Sequence, residues 1–488
     1  VADDPGMHSS QNEQDSRHHA IASKIPMIEP SDSQESIDFM KLAYLMSEKF
    51  DTPVLVKMCT RVAHSQSIAE LGDRDQQELK PYVKNIQKNV MTPANAIRKH
   101  PIVEQRNKDI AEWSITCGLN KLEEVSSSKV GIITSSTSYQ YTKEVFGDSV
   151  SILKLGLVNP LPEKMIRDFA AKIEVLIVIE ELDPIIEDFC RKIGLNCQIH
   201  GKDLLPICGE YSQNLIRSCL APLFEGLPPS EPKLKTPQAG LKLPDLPIRP
   251  PAMCAGCPHR GIFYELSKLK LNVMGDIGCY TLGAAAPLCA MDMNLCMGAS
   301  VSSLHGWVKA NPEYAKNSVC VIGDSTFVHS GITGLASIAY NQSNSTVIVL
   351  DNSITGMTGH QQNPTTGKNL YGEPAGRVDL ESLARAMGIN RVQVVDPYNL
   401  AECEKALKEE LAAEEPSLII SRRPCVLLKE VKHNPPLQVD DNKCRACKQC
   451  MKIGCPAISF RGKAMIDSTL CVGCGLCTQM CKFDAFIK

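Results

Sequence analysis

The chain has 488 residues, 43% apolar and 22% charged, with a formal net charge of -3. That length exceeds one hydrophobic core, so two to four domains are expected. The near balance of charge gives no overall signal for nucleic acid or a membrane surface. No apolar run is long enough to span a bilayer as a helix. Cysteine is the outlier, at 22 residues. Dense CxxC spacing in a long, otherwise ordinary chain favours metal ligation in a reducing cytoplasm over a secreted disulfide scaffold.

The sequence opens at Val1 with VADDPGMHSSQ, which lacks the basic start and apolar core of a signal peptide. An apolar residue running into Asp-Asp-Pro-Gly reads as the end of a strand, so an N-terminal portion is expected to precede it. Residues 1–78 alternate helical and strand-like pieces: apolar residues recur at helical spacing over Ser33–Phe50, and TPVLVKMC reads as a short strand. Residues 79–127 are polar and read as a helical connection. From Lys129 the pattern is βαβαβαβ: KVGIIT, SVSILKLG, EVLIVIEE and LNCQIHG separated by helical stretches, a parallel-sheet domain over 128–226. Its first strand is not followed by GxGxxG, so it carries no dinucleotide signature. A Pro-rich linker follows at 227–251, then a second α/β alternation over 252–430, then a cysteine-rich tail over 431–488.

The tail contains CRACKQCMKIGCP and CVGCGLCTQMC. Each is a C-x2-C-x2-C triplet with a more distant fourth cysteine, and in two-cluster ferredoxins that fourth ligand serves the other cluster. One [4Fe–4S] cluster is therefore assigned to Cys444, Cys447, Cys450 and Cys481. The other is assigned to Cys471, Cys474, Cys477 and Cys455. Zinc favours two CxxC pairs per ion instead of triplets. The first run has four residues before its last cysteine, and Cys481 is followed by Lys482, not Pro. From Val431 onward there are nine Lys or Arg against four acids. These bases suit an acidic electron carrier, or else offset the charge of the clusters themselves.

Two apolar runs end in small polar turns: CVIGDSTFVHSG at Cys320 and TVIVLDNSITGMTG at Thr346. A strand ending in Gly-Asp places Asp324 at the start of the following helix, where phosphates bind and a carboxylate can share a divalent ion with them. Asn352 offers a neutral oxygen at the second turn. Thiamine diphosphate enzymes share this arrangement, here with Ser325 where their second glycine falls. The alternative is two ordinary βα turns.

With CAGCPHRG (Cys254–Gly261), DIGCYTLG (Asp276–Gly283) and DDPGMHSSQNEQDSR near the start, these motifs resemble the 2-oxoacid:ferredoxin oxidoreductases. The order of domains is most similar to the family of indolepyruvate ferredoxin oxidoreductase alpha subunits. The resemblance covers essentially the whole chain. It implies an α/β, multidomain thiamine-diphosphate-binding fold of parallel-sheet domains with a C-terminal two-cluster ferredoxin-like α+β domain. Residues 1–78 would be the C-terminal part of the pyrimidine-binding domain, 128–226 a transketolase C-terminal-like domain, and 252–430 the thiamine diphosphate and Mg²⁺ domain.

On that resemblance Asp324, Asn352 and the Ile354 carbonyl are Mg²⁺ ligands. Gly323, Ser325, Gly356, Met357 and Cys279 would lie near the cofactor. The activating glutamate would precede Val1. Cys254, Cys257, Cys279 and Cys425 match the ligands of a third, proximal cluster in related pyruvate enzymes; the alternative is free thiols. His259, His305, His329 and His360 lie in or near these motifs, and His329 is the candidate to face substrate, although a lone histidine more often packs. The implied activity is ferredoxin-dependent oxidative decarboxylation of arylpyruvates, indolepyruvate or phenylpyruvate, with coenzyme A, to aryl-acetyl-CoA, CO₂ and reduced ferredoxin. The same chemistry on pyruvate or a branched-chain acid is an alternative, as is an electron-transfer subunit without thiamine chemistry. The implied partners are a smaller beta subunit and ferredoxin, in the cytoplasm, with neither nucleic acid nor membrane.

Overall fold

The computed structural model describes residues 1–2, 4–8, 12–74, 81–224 and 250–487. The chain divides into two units, Val1–Lys242 and Leu243–Lys488. The division falls within the Pro-rich segment expected as a linker, nearly all of which lies outside the described residues. Among the described residues no helix is long and apolar enough to cross a membrane.

In the first unit a five-stranded sheet runs in the order Lys121–Glu123, Ser151–Leu155, Val130–Ser135, Val175–Ile179, Gln198–His200. The last four pair in parallel. Ile132, Ile133, Ile152, Leu153, Leu176 and Ile177 are fully buried, as expected for strands covered on both faces. Lys121–Glu123 pairs antiparallel at the edge. This corrects the reading of 79–127 as a helical connection: helices Ile86–Asn89 and Pro93–Trp113 are present, but the segment ends in a strand. Three residues are too few to show a period of two, and pairing with the neighbouring strand decides the outcome. The helix Ser33–Phe50 starts one residue after Asp32, whose carboxylate accepts from the Glu35 amide at 2.9 Å. That cap satisfies one of the donors left free by helix geometry. Phe39, Ala43 and Met46 form its buried stripe.

The second unit is built on an all-parallel six-stranded sheet. Its order is Met293–Asn294, Asn272–Gly275, Ser318–Gly323, Thr346–Asp351, Ser417–Arg422, Arg391–Val395. The two central runs Ser318–Gly323 and Thr346–Asp351 are buried along their whole length, which is why they read as continuous apolar stretches. Strand order turns back between Asn272–Gly275 and Ser318–Gly323. The crevice beyond the carboxyl ends of strands at such a reversal is where open α/β sheets bind ligands.

The cysteine-rich tail belongs to this unit. It is built on two antiparallel pairs, Gln438–Val439 with Phe486–Ile487 and Ile458–Arg461 with Lys463–Ile466. It seats on the body through Tyr398. The Tyr398 hydroxyl donates to the Gly256 carbonyl, and the Tyr398 carbonyl accepts from Gln479 Nε2 at 2.7 Å. Gly256 has φ +67°, and a Cβ there would stand 2.2 Å from Val472. Only glycine permits this approach of the CAGC loop to the tail.

Candidate thiamine and iron–sulfur site

The parallel register sets Gly323 opposite Leu350, so Asp324 and Asp351 follow at the same edge. One cleft there is lined by three loops: Ile277–Tyr280, Gly323–Thr326, and the turn after Thr346–Asp351 that contains Asn352, Ile354, Gly356 and Met357. These include every residue that the sequence pointed to as cofactor-binding. Gly323 meets the Tyr280 ring, which a Cβ would approach to 2.8 Å.

Asp324 is 2% exposed. Its carboxylate accepts from Asn363 Nδ2 at 3.2 Å and Thr365 Oγ1 at 3.0 Å. Both donors are neutral. Burial, with the Asp351 charge beside it, pushes its pKa up to about 6 despite those bonds. Asp351 has its own cation, Arg422, at 2.8 Å. Asp324 has none among its hydrogen-bond partners, so the donor set suits a divalent cation: a buried anion, an amide oxygen and a turn carbonyl, all hard oxygens.

Asn352 is buried, with its Nδ2 3.4 Å from Nε2 of His259. Burial holds the His259 pKa down at about 4, so the neutral ring accepts that hydrogen. The amide is thereby oriented with Oδ1 toward the Ile354 amide, at 3.4 Å. The ring of His259 also stands edge-on to Tyr280.

The histidine in the cleft is therefore His259. His329, the sequence candidate, is exposed, contacts Ser330 Oγ and does not line the cleft. The reason lies in the helix. Residues Phe327–Gly331 form a π-helical turn, which shifts the helical phase by which His329 was expected to face inward. His305 and His360 also lie outside the lining. Asn363 and Thr365 were missed because they sit 39 and 41 residues beyond Asp324 in a loop with no periodic signal. Asp276 opens the DIGCYTLG motif. Its buried carboxylate accepts from the Gly298 and Ser300 amides at 2.9 and 3.1 Å, fixing the start of helix Ala299–Ala310 behind the cleft.

The tail holds two cavities. One is lined by Cys444, Cys447, Cys450 and Cys481, the other by Cys455, Cys471, Cys474 and Cys477. The crossed sets are thus brought together. A tetrahedral zinc site, with Zn–S about 2.3 Å, would draw its sulfurs to roughly 4 Å of one another. Among the described residues the one group of three ligating atoms within 4.8 Å is Asp15, His18 and Asp183, in the first unit. In the first set Cys447 is exposed. The second abuts the body at Ala255, Gly256 and Arg260.

Cys254, Cys257, Cys279 and Cys425 also converge: Cys425 and Cys254 each act electrostatically on both Cys257 and Cys279. The set borders the cleft. The Cys425 amide donates to the Asn352 carbonyl at 2.8 Å, and a Cβ on Gly356 would lie 3.6 Å from the Cys279 sulfur. In the first unit Arg17 is buried and paired at 2.6 Å with both Asp15 and Glu180; residues 9–11 of the SSQNEQDSR motif lie outside the described residues.

Residues 276–421 match the thiamine pyrophosphate enzyme C-terminal TPP binding domain, and residues 464–487 match the 4Fe-4S binding domain. A thiamine-enzyme domain fused to an iron–sulfur domain defines an oxidoreductase class. Over 528 residues the chain is 38% identical to the indolepyruvate oxidoreductase subunit IorA of Pyrococcus horikoshii, covering 100% of this chain and 81% of that protein. It is 36% identical to the same subunit of Archaeoglobus fulgidus, covering 99% and 79%. The chain belongs to this family of indolepyruvate oxidoreductase subunits. It is also 29% identical to the 2-oxoglutarate synthase subunit KorB of Archaeoglobus fulgidus over 33% of this chain and 64% of that one.

Proposed function

We propose that this chain is the thiamine- and cluster-bearing subunit of a ferredoxin-dependent arylpyruvate oxidoreductase. It converts indolepyruvate or phenylpyruvate and coenzyme A to the aryl-acetyl-CoA and CO₂. Two electrons leave singly to ferredoxin, in partnership with a smaller beta subunit. The observation that carries this reading is the shared wall between the acid-turn cleft and the thiols, where the Cys425 amide is bonded to the Asn352 carbonyl. Substrate oxidation and electron removal can then occur side by side.

Bound thiamine diphosphate supplies an electron sink that lets the carboxylate of a 2-oxoacid leave as CO₂. The chain's own residues hold and orient. Asp324, Asn352 and the Ile354 carbonyl would hold Mg²⁺ against the diphosphate. Gly323, Ser325, Gly356 and Met357 shape the cleft around it, and buried Tyr280 and His259 keep its floor dry. Cys254, Cys257, Cys279 and Cys425 would carry a proximal cluster. Electrons would pass from there to the inner tail set and out through the surface set.

The test is an anaerobic assay of the chain purified with its small subunit, supplied with thiamine diphosphate, Mg²⁺ and coenzyme A. Viologen-dye reduction is expected to be fastest with the aryl acids. Reduction only with pyruvate, branched-chain acids or 2-oxoglutarate would overturn the substrate class. No reduction in iron-replete protein would leave an electron-transfer subunit.

A further inference from the structure

Arg260 is 2% exposed. It is the second residue of helix His259–Leu269, at the end where the helix dipole disfavours a cation. Among the described residues its guanidinium donates only to neutral carbonyls: Cys254 at 3.0 Å, Ile453 at 3.1 Å, Gly454 at 2.5 Å, and Met253. Among the described residues it forms no salt bridge. Arg17, buried to the same degree, has two carboxylates. A buried guanidinium without an anion is costly, so such cations are normally paired.

What Arg260 faces is cysteine sulfur: Cys455, Cys257, Cys254 and Cys474 are its ionisable neighbours. It also lines the inner tail cavity with Cys455, Cys471, Cys474 and Cys477. A [4Fe–4S] core held by four thiolates is a net anion, and reduction adds one more negative charge. Net charge and hydrogen bonding around the sulfurs set its potential. The carbonyls that Arg260 binds belong to two segments, Met253–Cys254 of the body and Ile453–Gly454 of the tail, each next to a ligating cysteine.

We propose that Arg260 is the fixed counter-charge of the inner tail cluster and the positioning residue for electron entry into the tail. The guanidinium favours the reduced cluster and ties the Cys254–Cys257 loop to the Cys455 turn. The step it assists is a one-electron reduction of that cluster, with the electron supplied from the cleft and passed to the outer cluster. Arg260 itself forms and breaks no bond and moves no proton. The proposal rests on the two-cluster reading of the tail.

The experiment compares Arg260→Gln and Arg260→Lys in the complex with the small subunit. Iron content is measured first, then each cluster is titrated potentiometrically with EPR detection. Signals are assigned with Cys481→Ala, which should lack the outer cluster; if that variant keeps both signals, the ligand assignment fails, separately from the role of Arg260. Arg260→Gln is expected to shift the inner reduction equilibrium at least about tenfold toward the oxidised form, about 59 mV for one electron. The outer cluster should not move, and Arg260→Lys should restore most of the shift. Loss of inner-cluster iron in the Gln variant alone, with iron kept by the Lys variant, also supports a charge role. A wild-type inner potential in the Gln variant overturns the proposal. So does an equal shift, or equal iron loss, in both variants, because the fork geometry and not the charge would then matter.

Discussion

Replacing Asp324 with Ala is expected to cut thiamine-dependent substrate oxidation steeply while leaving the iron content at its wild-type level. Asp324 is the one anion offered by the cleft's three proposed cation ligands, and its hydrogen-bond partners Asn363 and Thr365 are uncharged. Without it the diphosphate would lose the ion that neutralises it. A metal ion at a developing or bound anion is worth several kcal/mol. Rate falls tenfold per 1.36 kcal/mol, so a loss on the order of 10³ in rate is expected. Asp324→Asn separates the causes. It removes the charge but preserves volume, so cofactor affinity should fall nearly as far. The cofactor-free protein should melt higher at neutral pH. Burial raises the folded-state pKa of Asp324 to about 6, above the 3.8 of an ordinary aspartate. The ionised form is therefore the one that opposes folding, and it does so above pH about 6. A cofactor affinity unchanged in both variants would remove Asp324 from the site.

The second large effect follows from crossed ligation. Cys455 lies in the first cysteine run but lines the cavity of the second, and Cys481 does the reverse. Cys455→Ala should therefore remove the same EPR signal as Cys471→Ala, with about half of the tail iron. Dye reduction should collapse with it, since the inner set stands between the body and the surface. Cys481→Ala should remove the same signal as Cys444→Ala. It should lose ferredoxin reduction, while a small dye can still collect electrons from the inner cluster. If Cys455→Ala and Cys444→Ala abolish the same signal, ligation is run by run and the assignment is wrong. Paired variants make this a comparison of signals and not of yields.

What the sequence made legible were features with strong local grammar. Buried parallel strands appear as unbroken apolar runs, and the acid and amide that end two of them are adjacent because the strands pair in register, Gly323 beside Leu350. The C-x2-C-x2-C triplets name their ligands because three thiolates must converge over few residues. Illegible were the groups recruited from afar. Asn363 and Thr365 come from the stretch after Thr346–Asp351 that forms no regular helix or strand before Leu380. Arg260 reaches carbonyls 193 and 194 residues away. His329 was misjudged because helical periodicity was extended through a segment that winds as a π-helix. The strand Lys121–Glu123 owes its existence to a neighbour and not to its own residues.

On the proposed function, substrate oxidation in the cleft and reduction of the tail clusters are one connected event. The most direct test is rapid-freeze EPR of the complex of this chain with its small subunit, mixed anaerobically with indolepyruvate in the presence or absence of thiamine diphosphate. Cluster reduction within a single turnover is expected only when both are present, with the signals of Cys455→Ala and Cys481→Ala lost separately. Cluster reduction without thiamine diphosphate, or CO₂ release with every tail cluster still oxidised, would contradict it.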